Sequence, residues 1–371
     1  KTTTGRVLLR AYEPTAGEVW FKDKQLGRVN VPDLDKQEMK SIRQNMQMIF
    51  QDPYSSLNPR MTLLQIVGEP LLSGVRVSNG VNIVATDERG FVTVDRVSRT
   101  SARGVYAAGD CVELTHHHSG RPLYLPLGSL ANRQGRVVGD NVAGKSTAFG
   151  AVAGSAVVKI FDWTAAAVGL SEAWARREGL RPRAALGTFL DAAHYYPEHH
   201  RLFMKLVYEQ ESRRLLGLQA VGSGEVAKRI DVFASLLHRG GRLEDLLDLE
   251  FCYSPPFNAA LDPLHGLGSV ALNQEETGVA GLGPLAARNG RHVVDVRQAE
   301  EITAEFPLPA GAVNIPLDQL RSRVAELPRD RPLLITCAYG TRSSEAARWL
   351  ASEGFQDVVF LSGGAMMQAA R

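Results

Sequence analysis

A short apolar run, Leu333-Leu334-Ile335-Thr336, leads into the hexapeptide Cys337-Ala338-Tyr339-Gly340-Thr341-Arg342. Behind it Ser343-Ser344-Glu345-Ala346-Ala347-Arg348-Trp349-Leu350 carries apolar residues at helical spacing. Strand, cysteine loop and helix in that order predict an α/β unit at this end of the chain. Gly340 allows a tight turn without a Cβ. Such a loop turns successive backbone N–H groups inward, and with the helix N-terminus and the Arg342 guanidinium it is expected to form an electropositive cup around the sulfur. A helix N-terminus and a cation both favour thiolate over thiol, so Cys337 is expected to lose its proton readily. The competing reading is a buried, inert strand-end cysteine; Arg342 and the helix behind it favour the reactive one.

Three further landmarks accompany the loop. They are Val293-Val294-Asp295-Val296-Arg297, Pro309-Ala310-Gly311-Ala312-Val313-Asn314-Ile315-Pro316-Leu317 and Val358-Val359-Phe360-Leu361-Ser362-Gly363-Gly364. With the loop they resemble, in order, the rhodanese (sulfurtransferase) domain family over residues 285–371. The resemblance implies that Cys337 carries a sulfane sulfur as a persulfide, within a loop formed by Cys337 to Arg342. A small-molecule sulfur donor and a thiol acceptor follow as the implied partners.

At 371 residues the chain has room for several domains. Its 42 basic and 40 acidic residues leave a net charge of +2, which argues against a dedicated nucleic-acid surface. Cys111, Cys252 and Cys337 are few, odd in number and far apart, so a disulfide framework is not expected and a reducing cytoplasm is. No apolar stretch reaches the length of a membrane span, and no membrane insertion is expected.

Residues 73–150 alternate short apolar runs with Gly turns. Gly104-Val105-Tyr106-Ala107-Ala108-Gly109-Asp110 reads as an apolar strand ending in Gly and Asp, where small residues let a cofactor lie on the backbone and the carboxylate can accept polyol hydrogen bonds. Ala131-Asn132-Arg133-Gln134-Gly135-Arg136 lies in a helical stretch. Residues 151–277 then mix alternating runs such as Leu202–Tyr208 with a helix from Val226 to Leu237. Lys228-Arg229-Ile230-Asp231-Val232 and Tyr253-Ser254-Pro255-Pro256-Phe257 fall in this block, and the Gly-rich residues 278–284 read as a linker.

Together residues 73–277 resemble the C-terminal half of a pyridine nucleotide-disulfide oxidoreductase, of the coenzyme A-disulfide reductase type with a C-terminal rhodanese domain. The resemblance implies a partial FAD-binding domain over 73–150, with Gly109, Asp110, Ala131 and Arg133 beside the flavin. It also implies a dimerisation domain over 151–277, a homodimer through it, and coenzyme A chemistry at Tyr195 and Tyr253. The family's early Gly-x-Gly-x-x-Gly loop for FAD, its second such loop for the nicotinamide cofactor and its N-terminal redox cysteine do not appear in these residues. FAD retention is therefore not secured, and the expectation is that disulfide reduction is lost.

Residues 1–72 begin Lys1-Thr2-Thr3-Thr4-Gly5-Arg6 and later read Met46-Gln47-Met48-Ile49-Phe50-Gln51-Asp52-Pro53-Tyr54-Ser55-Ser56-Leu57-Asn58-Pro59-Arg60. They resemble an oligopeptide/dipeptide ABC transporter ATPase, with Lys1 as phosphate lysine, Thr2 as Mg²⁺ ligand and Gln51 as the Q-loop glutamine. With no Gly-rich loop ahead of Lys1 and no Walker B strand after residue 72, ATP binding is not expected. Gly139-Asp140-Asn141-Val142-Ala143-Gly144-Lys145-Ser146 fits the P-loop spelling but follows a helix. His116-His117-His118 is expected to be a solvated loop with no metal, since adjacent residues of a strand cannot all face one ion. Trp163 and Trp174 are expected in the core.

The overall expectation is a multidomain chain of mixed α/β and α+β architecture. Sulfur transfer at Cys337 is its leading activity. An FAD- and NAD(P)H-dependent coenzyme A-disulfide reductase, or a non-catalytic dimerisation or ATP-binding module, is the alternative.

Overall fold

The structure, a computed structural model, describes residues 17–23, 26–43, 84–284 and 290–369. Lys1, Thr2 and Gln51 lie outside them. The chain divides into two units, Lys1–Glu113 with Pro126–Phe149, and Leu114–Leu125 with Gly150–Arg371.

In the first unit β1 (Trp20–Asp23) pairs antiparallel with β2 (Gly27–Asn30), and α1 (Lys36–Arg43) follows. Asp35 caps α1 by accepting the N–H groups of Gln37 and Glu38, while Glu38 accepts that of Asp35. Val31, Leu34, Met39 and Ile42 form the small core this permits. The apolar strand expected over 104–110 is not formed. It reduces to one bridge, Arg99 to Tyr106, because the chain turns back at Ala102–Val105 and only the backbone hydrogen bonds from Thr100 N–H to Val105 O and from Ala107 N–H to Ser98 O flank it. A helix, α2 (Gly128–Val142), buries Leu130, Gln134, Val137 and Asn141 along one stripe, and Asn141 donates to Val97 O at 2.8 Å. The P-loop spelling at 139–146 is the frayed end of this helix, where Lys145 pairs with Asp140 at 3.0 Å.

The second unit opens with β3 (Leu114–Thr115) and β4 (Pro122–Leu123) around the histidine turn. Next come β5 (Ala156–Ile160), β6 (Trp163–Gly169), α3 (Glu172–Arg177), β7 (Pro182–Leu190), β8 (Arg201–Glu209) and β9 (Leu215–Gly222). The five strands make one antiparallel sheet in the order β5-β6-β9-β8-β7. Against it pack α4 (Val226–His238) and α5 (Pro263–Thr277), burying Leu206, Leu218, Phe233 and Leu267. Asp262 caps α5 ahead of Pro263 at its first turn, and Gly278, with φ 69°, ends it in the left-handed region.

Residues 281–282, expected as linker, are instead β10 (Gly281–Leu282), which pairs parallel with β14 (Val358–Leu361). Val279 just before them is buried in the same core. The remaining strands are β11 (His292–Asp295), β12 (Val313–Asn314) and β13 (Leu333–Thr336), in the parallel order β10-β14-β13-β11-β12. Every residue of β13 and β14 is buried, the mark of a parallel sheet covered on both faces. Among its helices are α6 (Leu317–Leu320), α7 (Thr341–Ser352) and α8 (Gly364–Ala369).

Two minor expectations are overturned. His116 is buried, and His117 and His118 are half-buried. The flat rings stack instead of facing water, His116 on Trp174 at 4.7 Å and His117 on His238 at 4.6 Å between centroids. Trp163 is exposed on the surface near the Ile160-Trp163 end of the β5–β6 pair. Trp174 is partly buried against a small cluster with Leu170 and Val207. No group of His, Cys, Asp and Glu among the described residues can hold a metal ion, and no described helix is long and apolar enough to cross a membrane.

Candidate active site

The cysteine loop runs from the end of β13 to the start of α7, with Cys337 buried at 1% exposure. Gly340 N–H donates to Cys337 Sγ at 3.1 Å and Ser343 N–H at 3.4 Å. The first comes from the loop and the second from the opening turn of α7, so loop and helix dipole converge on one sulfur. The thiol in turn donates to Ser343 Oγ at 3.5 Å, and the Ser343 hydroxyl donates to Gly340 O at 3.0 Å. Gly340 adopts φ 99°, and a Cβ there would lie 2.9 Å from Gly363 N, so both its backbone and its neighbours require glycine.

A second helix start closes the loop from behind. Ala365 N–H donates to Cys337 O at 2.8 Å and Met366 N–H to Ala338 O at 3.1 Å. The loop carbonyls are thereby turned away from the sulfur, which leaves its N–H side facing in. From the antiparallel sheet, Thr188 of β7 donates to Gly363 O at 3.0 Å in a buried hydrogen bond.

Arg342 does not cap the sulfur by itself. Its guanidinium makes a two-pronged pair with Glu301, both contacts at 2.6 Å. The Arg342 hydrogen bond holds the Glu301 carboxyl below the usual glutamate range, so the pair is charged at neutral pH. Nearby, Arg297 and Asp295 form a buried pair at 2.7 Å, and Arg297 also donates to Phe306 O at 2.9 Å. Asn314 donates to Asp295 O and Arg297 O, which fixes the exit of β11 beneath the loop. Glu301, Ser343 and this pair have no site role in the sequence reading, although Asp295 and Arg297 stand two apart in its first landmark.

Tyr195 and Tyr253 come together. Their hydroxyls lie 3.4 Å apart on the surface, and the hydrogen bond between them pushes the Tyr195 phenol up. Beneath them Arg229, fully buried, pairs with Asp262 and donates to Asp191 O and Asn258 Oδ1, tying both tyrosine-bearing segments to α4.

The other expected site residues belong to the first unit. Gly109, with φ 87°, gives its N–H to Gln134 Oε1 at 2.8 Å, and its Cα hydrogen faces Ala131. Asp110 is half-buried beside this contact, while Arg133 stacks over Phe149 at 5.3 Å. Burial pushes the Cys111 thiol up, which disfavours a reactive thiolate there. A small-residue turn against a helix fits the ribityl end of a flavin dinucleotide. Its pyrophosphate has no Gly-x-Gly-x-x-Gly cradle anywhere in the 371 residues.

The geometry at Cys337 has counterparts. Residues 284–366 match the rhodanese-like domain, residues 155–264 the pyridine nucleotide-disulphide oxidoreductase dimerisation domain, and residues 1–115 the ABC transporter family. The three family models thus match successive stretches of one chain. Among curated relatives it is similar to the NAD(P)H coenzyme A polysulfide/persulfide reductase of Pyrococcus horikoshii, 38% identical over 187 residues, 50% of this chain and 42% of that one. It is also similar to the coenzyme A disulfide reductase of Staphylococcus haemolyticus, 32% identical over 187 residues with the same coverages.

Among solved structures it is similar to a NAD-dependent persulfide reductase from A. fulgidus, with TM-score 0.72 and 38% identity over 76% of this chain and 52% of that one. A second is the reduced Bacillus anthracis CoADR-RHD, with TM-score 0.71 and 31% identity over 81% and 53%. The chain thus spans about half the length of the relatives it matches.

Proposed function

We propose that the rhodanese-like domain transfers sulfur through a Cys337 persulfide. The observation that carries this reading is the pair of N–H groups, from Gly340 and Ser343, aimed at one buried sulfur. Negative charge on Sγ, or on a sulfur attached to it, is stabilised by such preorganised donors. The thiolate attacks the sulfane sulfur of a small-molecule donor. A new S–S bond forms to Cys337, the donor's own S–S bond breaks, and the donor leaves with the electron pair as sulfite or a thiolate. An acceptor thiolate then attacks the outer sulfur and takes it as its own persulfide, returning Cys337 to thiolate. No net oxidation occurs across the cycle.

Sulfite or sulfide release from thiosulfate and a thiol acceptor tests the reading. Cys337→Ser, which keeps the loop's size and polarity, is expected to abolish turnover. Undiminished turnover in that variant rejects the assignment.

The Tyr195–Tyr253 pair supports a second reading, in which residues 151–277 assemble a homodimer and present the tyrosines to coenzyme A, as part of the FAD- and NAD(P)H-dependent disulfide reduction of the parent family. Sulfur transfer at Cys337 needs no flavin. Flavin absorbance and NAD(P)H oxidation with coenzyme A disulfide separate the two readings.

A further inference from the structure

Arg201 opens β8 of the antiparallel sheet, yet its side chain reaches the cysteine loop. Its guanidinium donates to Tyr339 Oη at 3.0 Å and stands 5.6 Å from the centre of the Tyr339 ring. Tyr339 is an exposed member of the loop, at 38% against 1% for Cys337. Tyr339 stands two residues along the chain from Cys337, so Arg201 marks the rim of the sulfur site. The charges at this rim are unequal. Arg342, the loop's own cation, is neutralised by its two-pronged pair with Glu301. Arg201 is exposed, and among the described residues no carboxylate pairs with it. A sulfane-sulfur donor that approaches as an anion thus meets its uncompensated positive charge on Arg201, with the Tyr339 ring beside it.

We infer that Arg201, a residue of the dimerisation domain, is the donor-selecting cation of the rhodanese-like site and favours anionic sulfane-sulfur donors. This rests on the sulfur-transfer reading of Cys337. Thiosulfate and an organic persulfide anion share the required chemistry, a terminal sulfur next to negative charge. A rim cation acts mainly on capture and is screened by salt, whereas the chemistry at Sγ belongs to the Gly340 and Ser343 amides.

The test measures KM and kcat for thiosulfate and for glutathione persulfide at low and high salt, in wild type, Arg201→Ala and Arg201→Lys. Arg201→Ala is expected to raise KM about fivefold at low salt, the scale of one exposed charge pair, with kcat held and the salt dependence flattened. Arg201→Lys is expected to stay near wild type, because it keeps the charge. A shift confined to one donor supports the inference and identifies the source of the anion. Unchanged KM for both donors overturns it, and so does equal damage in the Ala and Lys variants, which marks a purely structural contact. If wild type takes no sulfur onto Cys337 from either donor, the sulfur-transfer reading falls, and this inference with it.

Discussion

Gly364 has φ 68°, and a Cβ built on it would come within 2.3 Å of Ala338 O. The clash is with loop backbone, which cannot swing aside as a side chain does. Gly364→Ala is therefore expected to cost about 1–3 kcal/mol from the left-handed backbone alone and to displace the loop that holds Cys337. Denaturant unfolding and sulfur-transfer rate should fall together; a variant with wild-type stability and rate contradicts the closure of the loop by α8. At this scale the sequence was informative only where partners are neighbours. Cys337, Gly340 and Arg342 lie within six residues, so their joint chemistry could be read directly. Glu301 meets Arg342 across 41 residues and Arg201 meets Tyr339 across 138, and no local pattern encodes either meeting. Glu301 is the reason the Arg342 charge is spent before it reaches a substrate.

The turn between β3 and β4 shows what an element adds. His118 Nε2 donates to Leu215 O at 2.9 Å, which leaves its Nδ1 buried without a partner. Burial is the largest cause that pushes its pKa down to about 4, so the ring is neutral in the fold at pH 7. An unfolded histidine binds its proton near pH 6.5. Between those values the unfolded chain holds more protons than the folded one, so stability is complete above about pH 6.5 and declines as pH falls toward 4. The unfolding midpoint of wild type should drop across that window, with the loss reduced in His118→Gln; parallel curves for the two proteins exclude this turn as the source. Three adjacent histidines suggested a solvated loop because they cannot all face one ion, but their ring contacts with Trp174 and His238 come from elements far along the chain. For the same reason β10 was missed. Two residues among glycines carry no strand signal, and only the edge of β14 makes them one. Long periodic segments such as α2, α4 and β8 needed no such help.

At the scale of the whole molecule, matches to three family models follow one another along one chain. The rhodanese-like sheet brings its loop and the start of α7 to one sulfur, with the start of α8 on the loop carbonyls. The turn at Gly109 is held on α2 by Gln134, and Lys1, Thr2 and Gln51 of the segment that matches the ABC transporter model lie outside the described residues. The order of the blocks was legible because each carries its own motifs. Contact between the antiparallel sheet and the cysteine loop, through Thr188 and Arg201, was not, since it depends on how two domains of one unit pack. The proposed sulfur transfer stands on Cys337 Sγ as the atom that accepts sulfur. Intact mass spectrometry after incubation with thiosulfate measures this directly. Wild type is predicted to gain the mass of one sulfur atom, localised to the Cys337 peptide and removed by a thiol, while Cys337→Ser gains none. A wild-type chain that gains no sulfur, or a Cys337→Ser chain that gains it equally, contradicts the account.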